Sequence, residues 1–165
     1  MTLSPALVEV LAKHNIKPED YKPAYGGESV GLDLFYTGST PITVDGKDHW
    51  YDKVDERYPL KPLIPTGIRM ALPKGYVCFV CDRGSISKTE LIRRAGVVDP
   101  GYTGEIFVNL FGDGIINPGD KLPAQLVVIK AETNYNTVSL EEFEKLAATS
   151  QRGEGKTGSS DTFKN

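Results

Sequence analysis

A carboxylate, a phenol ring and two glycines come together in Asp99-Pro100-Gly101-Tyr102-Thr103-Gly104, between the two apolar runs of GVVDPGYTGEIFVNLF, residues 96–111. Pro-Gly followed by a second glycine predicts a tight hairpin with Asp99 and Tyr102 near its bend. Such a turn has two readings. In one, Asp99 is a turn former and Tyr102 a surface aromatic. In the other, the rigid hairpin offers backbone donors and acceptors to a flat polar ligand, Tyr102 stacks on it, and Asp99 acts as a general base. A second set, DRGSISK at 82–88, places an arginine, two hydroxyls and a lysine in a short loop after a strand, groups suited to an anion. The third is the tail segment RGEGKTGSS, where Arg152 and Lys156 sit among glycines. Backbone N–H groups and cationic side chains of such a segment can close over a polyanion.

Two other patterns lead away from chemistry. The tail contains Gly155-Lys156-Thr157, the end of a phosphate-binding P-loop, but the position of that motif's first glycine is Ser150. A P-loop also follows a strand and opens a helix, whereas this segment follows a helical pattern. Cys78 and Cys81 form C-x-x-C, yet only His14 and His49 could complete a zinc site, and neither has finger-like spacing. The segment reads as a strand, on which positions three apart face opposite ways, so two free thiols are expected.

The elements that must hold these groups are mostly strands. SPALVEVLAKHN at 4–15 predicts a short helix, with Ser4 as cap, Pro5 in the first turn, and Asn15 and Pro18 ending it. From Ser29 onward come SVGLDLFYT, TPITV, PLIPTGIRMAL, GYVCFVC, GEIFVNLF and KLPAQLVVIK, separated by Pro, Gly, Asp and Asn. Short apolar stretches at this spacing predict an all-β sandwich or barrel rather than βαβ units. Residues 45–58 are polar and read as an insertion that Trp50 and Tyr51 could anchor. SLEEFEKLAA at 139–148 opens with the capping-box pattern Ser139 to Glu142. After it the composition becomes polar and rich in glycine and serine, which cannot pack on itself.

At 165 residues, with 25% charged and 39% hydrophobic residues, the chain can build a core unaided. Nineteen basic against 22 acidic residues give a net charge of −3, with no basic block to suit duplex nucleic acid. No apolar run nears the roughly 20 residues that span a bilayer, so no membrane role and a cytoplasmic location, the host's if viral, are expected.

The order of the pieces carries a resemblance that no single piece does. SVGLDLFYTG, PLIPTGIRMALPKGY running into DRGSISK, AGVVDPGYTGEI, PGDKLPAQLVV and RGEGKTGSS resemble, in order and spacing, the five motifs of the trimeric dUTP pyrophosphatase family over about residues 29–161. A phage or viral member is implied by the departures noted below. The resemblance implies a distorted β jelly roll of the β-clip type, a homotrimer, and active sites built from more than one subunit. It divides the chain into an N-terminal helical extension (1–24), the β domain with its insertion (25–148), and a flexible C-terminal arm (149–165) closing over the site.

The implied reaction hydrolyses dUTP to dUMP and pyrophosphate with Mg²⁺. By position, Asp99 resembles the residue that activates the attacking water and Tyr102 the ring that packs on deoxyribose. Backbone groups of residues 97–108, Val98 and Ile106 among them, resemble the hairpin that reads the uracil edge. Arg83, Ser85 and Gln125 correspond to positions along the phosphates. Arg152, Gly153, Gly155, Lys156 and Thr157 correspond to the clamp from the tail, and Asp33 to an aspartate that meets the metal through water.

Departures from the pattern bear on which base is taken. Gly84 stands where the family usually has a phosphate-contacting Ser, which leaves two readings: Ser85 takes that role, or the role is vacant. PGDKLPAQL is one residue longer between Gly and Gln, which predicts a bulge that re-aims Gln125. Thr157 stands where an aromatic normally covers uracil, with Phe163 six residues later. The related dCTP deaminases share a DPG hairpin but need a Glu near position 109. Asn109 cannot serve as that carboxylate base, though its acceptor and two donors could pair with either pyrimidine. Hydrolysis of dCTP, alone or with dUTP, therefore stays open beside dUTP hydrolysis, as do a deaminase-like chemistry and a non-catalytic nucleotide sensor.

Overall fold

Ser4 caps the first helix as its position predicts, its Oγ accepting from the Leu7 N–H at 3.1 Å, and Pro5 opens α1 (Pro5–Lys13). Asn15 takes a positive φ of 59° just past the helix end. Leu7, Val10 and Leu11 are buried along one face of α1, at the spacing an amphipathic helix requires. The structure is a computed structural model that describes residues 1–25, 28–45, 63–94, 96–132 and 136–149. Most of the 45–58 insertion, with Trp50 and Tyr51, lies outside the described residues, as does the arm from residue 150.

Residues 1–132 form one unit, built of two sheets. Its strands are β1 (Thr2–Leu3), β2 (Leu32–Phe35), β3 (Ile42–Asp45), β4 (Leu63–Arg69), β5 (Tyr76–Asp82), β6 (Glu90–Arg94), β7 (Val97–Val98), β8 (Glu105–Ile116) and β9 (Lys121–Lys130). One sheet runs β1-β4-β8-β3 with β6 also on β8, and the other runs β2-β9-β5-β7. All strand pairings among the described residues are antiparallel, and the architecture is an all-β jelly roll. The six predicted β stretches are all present. Three short strands accompany them: β1, β6 and the Val97-Val98 pair.

Alternation along each strand decides which side chains meet the core. On β8, Ile106, Val108 and Leu110 are buried while Phe107 and Asn109 point to the other face. Across the second sheet, Leu32, Leu126 and Val80 form a buried row. The neighbouring row, Asp33, Gln125 and Cys81, must then face outward. Cys78 is fully buried and Cys81 partly exposed, both free thiols, as the strand geometry requires.

The second unit, residues 133–165, contains α2 (Leu140–Ala147). Ser139 Oγ accepts from the Glu142 N–H at 3.2 Å, and Lys145 pairs with Glu141 one turn away. No helix among the described residues is long and apolar enough to cross a membrane.

Candidate active site

The turn that carries Asp99 is real, but it is not a hairpin. The Tyr102 N–H donates to the Asp99 carbonyl at 3.0 Å, closing a β-turn. The strands on its two sides then part: β7 pairs with β5 in one sheet, and β8 with β3, β4 and β6 in the other. The predicted hairpin is therefore a crossover between sheets. Turn residues specify the bend and leave open the partner of each strand, and Val97 and Val98 are captured by Phe79 and Cys78 on β5.

Three hydrogen bonds brace this turn. Tyr102 folds back so that its hydroxyl donates to the Glu105 carbonyl at 2.6 Å. A Cβ on Gly104 would lie 2.5 Å from that phenol oxygen, so glycine makes room for the ring. Arg69 Nε donates to the Thr103 carbonyl at 2.9 Å, and the Gly67 N–H donates to Glu105 Oε1 at 2.8 Å. Gly67 has a φ of +70° within a register slip of β4, which points its N–H at that carboxylate.

Beside the braced turn lies a cleft of about 290 Å³. Val98, Asp99, Tyr102, Ile106 and Asn109, five of the residues singled out in the sequence, all line it. Its floor is apolar, from Leu63, Val80 and Phe107. Asp99 is exposed at the rim, whereas Asn109 Oδ1 is buried with no hydrogen-bond partner.

The remaining described site residues gather elsewhere, on the outward row of the second sheet. Arg83 Nε donates to Asp33 Oδ1 at 2.8 Å, and Lys121 Nζ to Asp33 Oδ2 at 2.9 Å. Arg83 also donates to Ser85 Oγ at 3.0 Å, at the start of the 3₁₀ turn Gly84–Lys88. Gln125 Nε2 donates to the Asp82 carbonyl at 2.9 Å. Its side chain crosses above Gly31, where an added Cβ would meet Gln125 Oε1 at 1.9 Å. That approach is the physical reason for a glycine ahead of Leu32-Asp33-Leu34.

The extra residue in PGDKLPAQL is absorbed as a bulge. Asp33 faces Gln125 and Phe35 faces Lys121, two steps on β2 against four on β9. Pro123 lies within it, and its carbonyl accepts from the Arg83 N–H at 3.0 Å. Beneath the row, Tyr21 donates its hydroxyl to the Asp33 carbonyl at 2.5 Å. Burial first, and the Asp33 charge second, raise the Tyr21 phenol far above its ordinary value, so it stays a donor.

Asp33 thus answers two cations, Arg83 and Lys121, with one carboxylate. Among the described residues no three His, Cys, Asp or Glu side chains form a metal cradle. No residue of this basic end lines the cleft. The tail residues Arg152, Gly153, Gly155, Lys156 and Thr157 lie outside the described residues. Two contributors went unnamed in the sequence reading: Lys121, four residues before Gln125 in PGDKLPAQL, and Glu105, which follows the turn directly.

A protein-family model for dUTPase matches residues 56–161. The chain belongs to the dUTPase family. This dUTPase-family chain is 39% identical over 103 residues to the deoxyuridine 5'-triphosphate nucleotidohydrolase of Dictyoglomus turgidum, spanning 59% of this chain and 67% of that protein. It is 32% identical over 145 residues to the protein of the same name from Gloeobacter violaceus, spanning 83% of this chain and 85% of that one. Among solved structures it resembles a variant dUTPase of Staphylococcus bacteriophage 80alpha with dUpNHpp, with a TM-score of 0.62 and 23% identity over 84% of this chain and 90% of that one. A dUTPase variant from phage phi11 of S. aureus, described with a structural Mg(II) ion, has a TM-score of 0.55 and 21% identity, covering 72% and 88%. The family match takes in Arg83, Asp99, Gln125 and the tail; the Asp33 strand and α1 precede it.

Proposed function

We propose that this member of the dUTPase family hydrolyses dUTP to dUMP and pyrophosphate. The observation that carries the reading is the cleft, in which an exposed carboxylate and a folded-back tyrosine ring from one braced turn share an apolar-floored space with Asn109 of β8. The uracil ring enters the cleft, Tyr102 packs on the deoxyribose, and Asp99 takes a proton from water. The water oxygen bonds to the α-phosphorus, the bridging bond from that phosphorus to the β-phosphate oxygen breaks, and pyrophosphate departs. General-base help of this kind contributes typically 10²–10⁴-fold.

The triphosphate carries Mg²⁺ with it, so the ion is part of the substrate. Arg83, Lys121 and Ser85 supply positive charge and a hydroxyl for the phosphates. Asp33 holds the two cations in place, which the ion-pair geometry supports ahead of a water-mediated metal contact. Because the cleft and the basic end do not meet within one chain, the reading includes a homotrimer in which one copy's cleft faces another's basic end. The arm bearing Arg152, Gly153, Gly155, Lys156 and Thr157 then closes over the nucleotide.

The test is pyrophosphate release from dUTP, dCTP, dTTP and UTP, with and without Mg²⁺, with products identified by chromatography. Fast Mg²⁺-dependent release from dUTP supports the reading. Comparable release from dCTP broadens it to pyrimidine deoxynucleotides, a deaminated product from dCTP replaces it, and absence of turnover with dUTP bound leaves a nucleotide sensor.

A further inference from the structure

β2 is the outer strand of its sheet and pairs with β9 alone. Its register slips between Asp33 and Phe35, the stretch that must aim the Asp33 carboxylate at Arg83 and Lys121. A bulge disrupts the ladder locally, so the ladder alone holds that aim weakly. Support comes instead from the N-terminal extension, ahead of the residues 56–161 that the family model matches. Tyr21 follows the 3₁₀ turn Pro18–Asp20, is 6% exposed, and donates its hydroxyl to the Asp33 carbonyl. Its ring lies 6.1 Å from that of Phe35, which is fully buried. At the other end of the slip, where Phe35 faces Lys121, the His14 ring stands 4.7 Å from Phe35. His14 Nε2 also donates to the Gly119 carbonyl at 2.9 Å, two residues before Lys121. Lys121 Nζ lies 5.5 Å from the centre of the same Phe35 ring. The extension therefore grips both strands that the slip separates.

We propose that Tyr21 is a positioning residue for the phosphate end of the site, its hydroxyl fixing the Asp33 backbone and, through the Asp33 carboxylate, Arg83 and Lys121. Phenylalanine would fill the same space against Phe35, so the hydroxyl serves the Asp33 carbonyl rather than the packing. With that carbonyl held, the carboxylate has fewer places to go, and the two cations that bond to it keep their spacing.

The inference rests on the reading that Arg83 and Lys121 meet the phosphates of dUTP, and its main test uses a polyphosphate without a base. Binding of inorganic tripolyphosphate, and of the α,β-imido analogue of dUTP, is measured by calorimetry for wild type, Tyr21→Phe, Asp33→Asn and the double variant. Tyr21→Phe should weaken both ligands about fivefold, the worth of one hydrogen bond. If Tyr21 acts through Asp33, the same change made in Asp33→Asn alters Kd by less than about twofold. In dUTP hydrolysis the loss should appear in KM, with kcat within about twofold. Ser4→Ala, which removes the α1 cap, should lower Tm by a similar 2–4 °C or so and leave both Kd values unchanged. Equal tripolyphosphate binding by wild type and Tyr21→Phe overturns the proposal. An equal loss in the Asp33→Asn background, or the same loss in Ser4→Ala, overturns it as well, since either marks a general loosening. Wild-type hydrolysis of dUTP without tripolyphosphate binding sinks this proposal alone. Absence of hydrolysis with the expected binding losses sinks only the catalytic reading.

Discussion

The cleft draws its polar groups from one turn, the outer face of β8 and Arg94 at the end of β6, all within residues 94–109 apart from the wall residues Leu63 and Val80. The basic end draws on β2, β5 and β9, joining Asp33 to Arg83 across 50 residues and to Lys121 across 88. A local site is aimed by turn geometry and braced by hydrogen bonds to backbone, so its groups stand ready singly. A site assembled across strands is aimed by register, and its charges hold one another. Asp99 stands exposed at the rim, while Arg83 and Lys121 are both held by Asp33. Pre-paid positioning of that kind is where most of the assistance to phosphoryl transfer originates.

If the cleft holds the chemistry and the basic end holds the charge, their variants must differ in kind. Asp99→Asn should lower kcat by 10²–10⁴-fold with little change in KM or Tm, because the residue is exposed and loses only its basicity. Steady-state rates of pyrophosphate release measure it, and a loss under tenfold would remove Asp99 from the reaction. Arg83→Ala should lower kcat/KM by roughly 10–100-fold, the worth of about one charge-assisted hydrogen bond. Asp33→Asn should cost less, about tenfold, since both cations remain and only their anchor is lost. A larger effect from Asp33→Asn than from Arg83→Ala, restored by raised Mg²⁺, would return Asp33 to the metal.

The two regions were also unequally legible. Ser4-Pro5 marked the start of α1, and period-two alternation marked six strands, because both signals are local. Asp99 and Tyr102 stood out for the same reason. The partnership of their flanking strands did not, since β7 is two residues long and its pairing to β5 is decided by Phe79 and Cys78 about 20 residues earlier. β6 was hidden by Glu90, Arg93 and Arg94, which leave only Leu91 and Ile92 as apolar residues, and it is held by β8 rather than by its own pattern. Lys121 lay within a recognised motif, but nothing in its surroundings announces that its ammonium reaches a carboxylate on β2. The unpaired state of Asn109 Oδ1 is likewise a property of the packed structure, since any amide in a strand looks the same in sequence.

Smaller effects sharpen the same contrast. Tyr102→Phe keeps the ring and removes the hydroxyl's bond to the Glu105 carbonyl, so the turn loosens while its stacking surface remains. A loss of about 1 kcal/mol is expected, a fall in Tm of roughly 2–4 °C for a chain of this size, with kcat/KM down less than tenfold. Differential scanning calorimetry and dUTP kinetics check both figures. A kinetic loss matching Asp99→Asn would mean that the hydroxyl, rather than the turn it braces, takes part in the reaction.

The smallest effect concerns the thiols of β5, which probe the basic end from beneath. Cys81 faces outward in the same row as Gln125, while Cys78 is fully buried. Burial, reinforced by the neighbouring Cys81 thiol, pushes Cys78 up to about 11. Only the thiolate is nucleophilic, so iodoacetamide at pH 8 should modify Cys81 alone, one adduct by mass spectrometry. The adduct beside Gln125 should lower activity a few-fold and leave the cleft's binding of the imido analogue nearly intact. Because the folded thiol holds its proton above the pH at which the unfolded one releases it, Cys78 favours folding less as pH climbs from about 9 toward 11. Replacing it with Val should flatten that part of the stability curve. Rapid double modification at pH 8 would show that the second sheet opens readily, and the basic end would then be the less fixed of the two regions.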